Sequence, residues 1–156
     1  MPDSPSTAAW HLAQVNIARA VAPLDSPQLA GFVARIAEIN ELAERSPGFV
    51  WRFIEDKNSA AYARPYDDDQ MLFNLSVWRS VDDLKHYVYR HGHAEMMRGR
   101  QQWFHPADQP MLALWWIPAG TLSDVPEAKA RLEHLRLHGP SAHAFTFRES
   151  FPPPAG

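Results

Sequence analysis

Two short runs, MLFNLSVW (71–78) and MLALWWI (111–117), restrict the fold more than any other part of the chain. Each has the length of a strand, and each is apolar at both odd and even positions. Successive strand residues point to opposite faces, so a sheet built from these runs needs cover on both sides. Helices on one side of an antiparallel sheet leave its second side facing water. The chain must therefore supply a second cover itself or take one from another copy.

The rest of the chain fits around these two runs. Residues 1–9 read as a disordered arm of small and polar residues. Trp10 to Ile17 alternates as a first strand. Ser26 followed by Pro27 predicts a helix start, and the helix runs to about Arg45 with Leu29, Phe32, Val33, Ile36, Ile39 and Ala43 on one stripe. Pro47-Gly48 ends it. FVWRFI (49–54) predicts a second strand, with Phe49, Trp51 and Phe53 on one face. Residues 55–69 form a long polar connection, either a plain excursion or a lid.

After the third strand, 71–78, Ser80 predicts an N-cap with Asp83 three residues on, and Val81, Leu84 and Val88 form the buried stripe of the next helix. Gly92 breaks or bends that helix. A second helical segment, 93–104, sets His93, Met96, Met97, Arg100 and Phe104 on one face. The fourth strand is 111–117. The order β-α-β-β-α-β is that of the ferredoxin-like split βαβ arrangement. A further helix over 124–138 carries Val125, Ala128, Leu132 and Leu135 as its apolar stripe, and Gly139-Pro140 stops it. His143 to Phe147 predicts a short fifth strand, and residues 149–156 a Pro-rich tail. The predicted domain is 10–148. The last helix looks too small to cover the second face of the sheet alone, so a two-fold homodimer is expected, with two sheets packed face to face.

Composition narrows the classes of function. A chain of 156 residues suits one domain with a core of its own. Without cysteine it has no thiol nucleophile, disulfide framework or thiolate metal site. The formal net charge of −3, from 15 basic and 18 acidic residues, gives no footprint for nucleic acid. The first ten residues lack the pattern of a signal peptide, and the longest apolar run falls far short of the ~20 residues of a membrane span. A cytoplasmic location without membrane contact is expected. No Gly-rich phosphate loop and no Ser-His-Asp pattern appears.

The segments HLAQVNIARAVAPLDSPQLAGF, SPGFVWRF, NLSVWRSVDDL, YRHGHAEMMRGRQQWF, LWWIPAG and EAKARLEHLRLHGPSAHAFTFR span about residues 10–148. Through them the chain resembles the bacterial domain-of-unknown-function family 3291, in the dimeric α/β-barrel superfamily and related to antibiotic-biosynthesis-type monooxygenases. The resemblance implies an α+β fold: a ferredoxin-like βαββαβ domain forming a dimeric α/β barrel, with an extra C-terminal helix and short strand. It implies ligands held between sheet and helices, and either cofactor-free oxygenation of aromatic substrates or haem-dependent chemistry. The monooxygenases use an Asn and a Trp on this strand, and Asn74 and Trp78 stand at the matching positions. Some also use a Tyr and an Arg; Tyr87, Tyr89 and Arg98 are near, without a residue-by-residue match.

The residues themselves point to the same place. Asn74, Ser76 and Trp78 alternate onto one face, and an amide and a hydroxyl on an apolar surface could hold a carbonyl or a phenolate. They could equally satisfy each other or the backbone. His91 and His93 do not share a helical face. His93 lies with Met96, Met97 and Arg100, so it is the candidate base or, with haem, the axial ligand. Arg98 or Arg100 could pair a propionate or an acidic substrate. Trp51, Ser76, Tyr89, Met97, Arg100, Trp103 and Trp115 complete the expected ligand contacts. His134 and His138 lie four apart with His143 after them, a weak zinc pattern lacking the HExxH context. Three readings stand: a monooxygenase-like enzyme on an aromatic or polyketide-like small molecule, a haem protein using His93, and a ligand-binding module without catalysis.

Overall fold

The computed structural model of the chain describes residues 9–54, 66, 70–90, 103–107 and 109–154. Strand β1 (Trp10–Arg19) leads through a 3-10 turn at Pro27–Leu29 into helix α1 (Ala30–Glu44). Strands β2 (Phe49–Arg52) and β3 (Met71–Trp78) follow, then helix α2 (Val81–Arg90), strand β4 (Leu112–Pro118) and helix α3 (Val125–His138). The strands form one antiparallel sheet in the order β2-β3-β1-β4. This is an α+β fold with the ferredoxin-like strand order.

Register decides what each face carries. Leu12 pairs with Trp78 and Trp116, Gln14 with Ser76 and Leu114, and Asn16 with Asn74 and Leu112. These residues therefore share one face. Ala43 of α1 and Leu84 and Tyr87 of α2 pack there against Leu12, Trp78 and Leu114. Phe32, Trp103 and Phe104 close the other end of the same face over Ala18 and Leu72. The opposite face carries Ala13, Val15, Ile17, Leu75, Val77, Ala113, Trp115 and Ile117, packed with Ala128, Leu132 and Leu135 of α3.

The chain's own last helix thus covers the β1–β4 part of the second face. Ala13, Val15, Leu75, Val77, Ala113 and Trp115 are all fully buried within one chain. Ala13 and Ala113 lie in the same packed cluster as the helix's own Ala128, and these small side chains let α3 come close to the sheet. The helix has firm ends. Asp124 accepts from the Glu127 N–H at 2.9 Å, and Gly139, at φ 79°, donates its N–H to Leu135 O. At the β2–β3 side of this face Trp51, Phe53, Met71 and Phe73 are only partly buried.

Local chemistry follows the sequence in some places and departs in others. Ser80 Oγ accepts from Asp83 N–H at 3.1 Å, so the expected cap of α2 is present. Ser26 does not cap α1; its hydroxyl donates to Pro23 O, and the 3-10 turn leads in instead. Gly48 holds φ 86° where the Asp83 side chain occupies the space a Cβ would need. Phe49 and Trp51 do not share a face. A bulge between them pairs Phe49 with Trp78 and Trp51 with Val77, which turns the two rings to opposite sides. The fifth strand reduces to a single bridge, Leu114 with Phe145, on the outer edge of β4.

Candidate functional site

Polar side chains form a ladder on the helix-facing side of the sheet. Gln14 Nε2 donates to Asn74 Oδ1 at 2.6 Å and to Ser76 Oγ at 2.8 Å. Asn16 Nδ2 donates to Gln14 Oε1 at 2.9 Å and to Asn74 Oδ1 at 3.3 Å. Trp78 Nε1 donates to Ser76 Oγ at 2.9 Å. Cross-strand pairing builds the ladder, because Gln14 and Asn16 stand directly opposite Ser76 and Asn74.

The ladder has a closed end and an open end. Trp78, Gln14 and Ser76 are 1%, 3% and 6% exposed. Trp78 lies stacked on Tyr87, with ring centroids 5.2 Å apart, and edge-on to Phe49. Burial pushes the Tyr87 phenol up to about 12, so it stays protonated; its hydroxyl donates to Ile39 O at 3.0 Å. Asn16 and Asn74 are half-buried. The Asn74 Nδ2 amide and the Asn16 Oδ1 carbonyl have no hydrogen-bond partner among the described residues. On one side of this open end stands the Trp78–Tyr87 cluster, and on the other Leu72, Trp103 and Phe32. The arrangement presents polar amides between two aromatic walls, which suits a flat ligand with a polar edge.

The sequence-predicted residues divide. Asn74, Ser76 and Trp78 share a face as expected, but Ser76 and Trp78 are buried supports whose polar atoms bond within the ladder. Trp103 is on the same side, packed on Phe32 at 5.6 Å. Trp51 and Trp115 are not brought to this site: both lie on the opposite face, Trp115 fully buried beneath α3. Tyr89 is 67% exposed on α2. His91, His93, Met96, Met97, Arg98 and Arg100 lie outside the described residues, and the expectation of haem on His93 lies there with them. Gln14 and Asn16 were not among the expected site residues. The signal for them was two amides at alternate positions of a largely apolar strand, the same pattern as Asn74 and Ser76.

Two other features lie elsewhere. His134 sits between His138 and His143, with ring centroids 4.6 and 4.4 Å apart, and Arg131 bonds both Nδ1 and the carbonyl of His143. No group of three or more potential ligands among the described residues is arranged to hold a metal ion. A groove of about 380 Å³ is lined by Ser80, Val81 and Asp82, by Trp116, and by the tail at Ser150, Phe151 and Pro152. It is set apart from the ladder's open end. No helix among the described residues is long and apolar enough to cross a membrane.

Comparison with known proteins places the chain in a family. The model of DUF3291, a domain of unknown function, matches residues 11–156, and the chain belongs to that family. No curated protein matches. Among solved structures, a protein of unknown function from Nitrosomonas europaea is 11% identical, over 75% of this chain and 96% of its own, with a TM-score of 0.48. SnoaB, a cofactor-independent oxygenase from Streptomyces nogalater, is 16% identical over 76% of this chain and 99% of its own, with a TM-score of 0.47. PA3566 from Pseudomonas aeruginosa is 13% identical over 74% and 98%, with a TM-score of 0.43. These likenesses concern the course of the chain and bring no substrate or residue role with them.

Proposed function

We propose that this member of the DUF3291 family is a monooxygenase-like enzyme that takes an aromatic or polyketide-like small molecule against the helix-facing side of its sheet. One observation carries the reading: the Asn74 amide is held by Gln14 and Asn16 between two aromatic clusters, with its Nδ2 hydrogens unengaged among the described residues. Oxygenation without a cofactor needs a substrate that is itself the reductant. A ring methylene activated by neighbouring phenolic groups loses two hydrogens and gains one oxygen atom of O2, while the second oxygen leaves as water. The methylene carbon supplies all the electrons. Deprotonation makes that substrate an enolate or phenolate, and a fixed amide donor stabilises the oxygen where the charge collects. His93 is the proposed base. A homodimer belongs to the same reading, a second copy covering Trp51, Phe53, Met71 and Phe73, which are only partly buried.

Oxygen uptake with a panel of phenols and anthrones tests the proposal. Turnover by the wild-type protein should fall by about a hundredfold in Asn74→Ala, the scale of losing one oxyanion donor. No uptake with any member of the panel, or an unchanged rate in Asn74→Ala, would sink it. Saturable binding without turnover would leave a ligand-binding module.

A further inference from the structure

Gln14, Asn16 and Asn74 close a ring of three amides, and the ring has a consequence for what can bind. Gln14 bonds both asparagines, and the asparagines bond each other. Every amide has one donor end and one acceptor end. With Gln14 Nε2 toward Asn74, the outer atoms are the Asn74 Nδ2 donor and the Asn16 Oδ1 acceptor. If all three amides turn over together, Gln14 Oε1 accepts from Asn74 and from the Ser76 hydroxyl, and the outer atoms become an Asn74 acceptor and an Asn16 donor. Ser76 fits both senses, since a hydroxyl donates or accepts while still receiving the Trp78 indole N–H. Mixed senses set two N–H groups or two carbonyls against each other and are disfavoured. In either allowed sense the open end shows one donor beside one acceptor.

We propose that Asn16 and Asn74 form a donor–acceptor rim that selects a neutral ligand edge carrying one acceptor next to one donor, such as a cis-lactam or a hydroxy-carbonyl, and that buried Gln14 is the positioning residue that keeps the two asparagines in phase. The inference rests on the reading of the ladder as the ligand site. A carboxylate edge, with two acceptors, always meets one carbonyl and is disfavoured. Gln14 suits the role because it is 3% exposed and bonded through both ends of its amide. Its side chain is anchored from the buried side by Ser76, which also receives the Trp78 indole N–H.

Three probes of similar size separate the possibilities by calorimetric titration of the full chain: carbostyril, which has a cis-lactam edge; N-methylcarbostyril, which lacks the donor; and β-naphthoate, which has a carboxylate. The wild-type protein should bind carbostyril about tenfold more tightly than either, the worth of one well-placed hydrogen bond. Gln14→Leu should abolish that preference while keeping binding of the flat ring body. Asn74→Asp keeps the inner acceptor but makes the outer atom an acceptor, and should weaken carbostyril by about tenfold. Thermal melting checks that each variant folds, and Asn74→Asp decides the matter if Gln14→Leu does not. Equal affinities in the wild type, a preference retained in Gln14→Leu, or no saturable carbostyril binding at millimolar concentration would overturn the inference. Probe preference without oxygen uptake would refute only the oxygenase reading. Uptake without preference would refute only the rim.

Discussion

Leu132→Ala tests whether α3 is what closes the second face of the sheet. Leu132 is 1% exposed and sits in the cluster with Ala13, Val15, Leu75, Val77 and Trp115. Cutting a buried leucine to alanine removes three carbons from a packed site, and the neighbours relax only in part. Such changes cost about 2–5 kcal/mol. Leu132 shares its cluster with strand residues that have no exposure left, so a loss near the middle, about 3 kcal/mol, is expected. For a chain of this size that is a fall of about 6–12 °C in Tm. Urea unfolding followed by tryptophan fluorescence measures it, with Leu137→Ala as a control, since Leu137 is 69% exposed. The control should change by less than about 0.5 kcal/mol. If a second copy pairs at the β2–β3 side, both proteins shift with concentration, but the difference between them does not. A loss under about 1 kcal/mol for Leu132→Ala would mean that the helix is not docked as described.

Two further expectations follow from titrating groups. The His143 imidazole is held below its ordinary value by burial first, then by the Arg131 guanidinium and by His134, against a smaller opposite pull from Glu127; His11 is lowered by burial and by Arg79. A lowered folded value makes the stability contribution complete above about pH 6.5 and progressively lost as pH falls below it, so urea midpoints should drop from pH 7 to pH 5 and drop less in His143→Gln; a flat or rising profile would refute this. Tyr87→Phe should lose about 1 kcal/mol by removing the bond to Ile39 O, and the absorbance titration of the wild type should show a phenol ionising near pH 12 that the variant lacks.

Much of the fold was legible because period and punctuation agree. The alternation of Asn74, Ser76 and Trp78 put them on one face, Ser80 with Asp83 marked the start of α2, and Ala128, Leu132 and Leu135 marked the buried stripe of α3. Partners across the sheet were not legible. Gln14 and Ser76 are 62 residues apart, and strand pattern alone does not say which strand β1 lies beside. For the same reason Trp115 was expected beside the site. Its run is apolar on both faces, so only the register with Ala13 places it beneath α3. The bulge at Phe49–Trp51 changes the facing of one aromatic residue by a local slip that no composition signal marks. Phe145 reached β4 through one bridge only, too little to be a strand.

The ladder also accounts for why β1 and β3 hold one register. Both strands have enough apolar residues on each face for a slip by one position to leave hydrophobic burial nearly as good. Such a slip turns every side chain of β1 over. Gln14 would then go beneath α3, among Leu75, Val77, Trp115 and Leu132, with no partner for its amide, and Ser76 would lose its bond on the other side. Leaving buried polar groups unpaired costs about 1–3 kcal/mol each, and this penalty falls on the wrong register alone. An all-apolar pair of strands would lack that discrimination. The same bonds that fix the register fix the asparagine amides at the open end, so the selection of fold and the orientation of the site rest on one set of side chains.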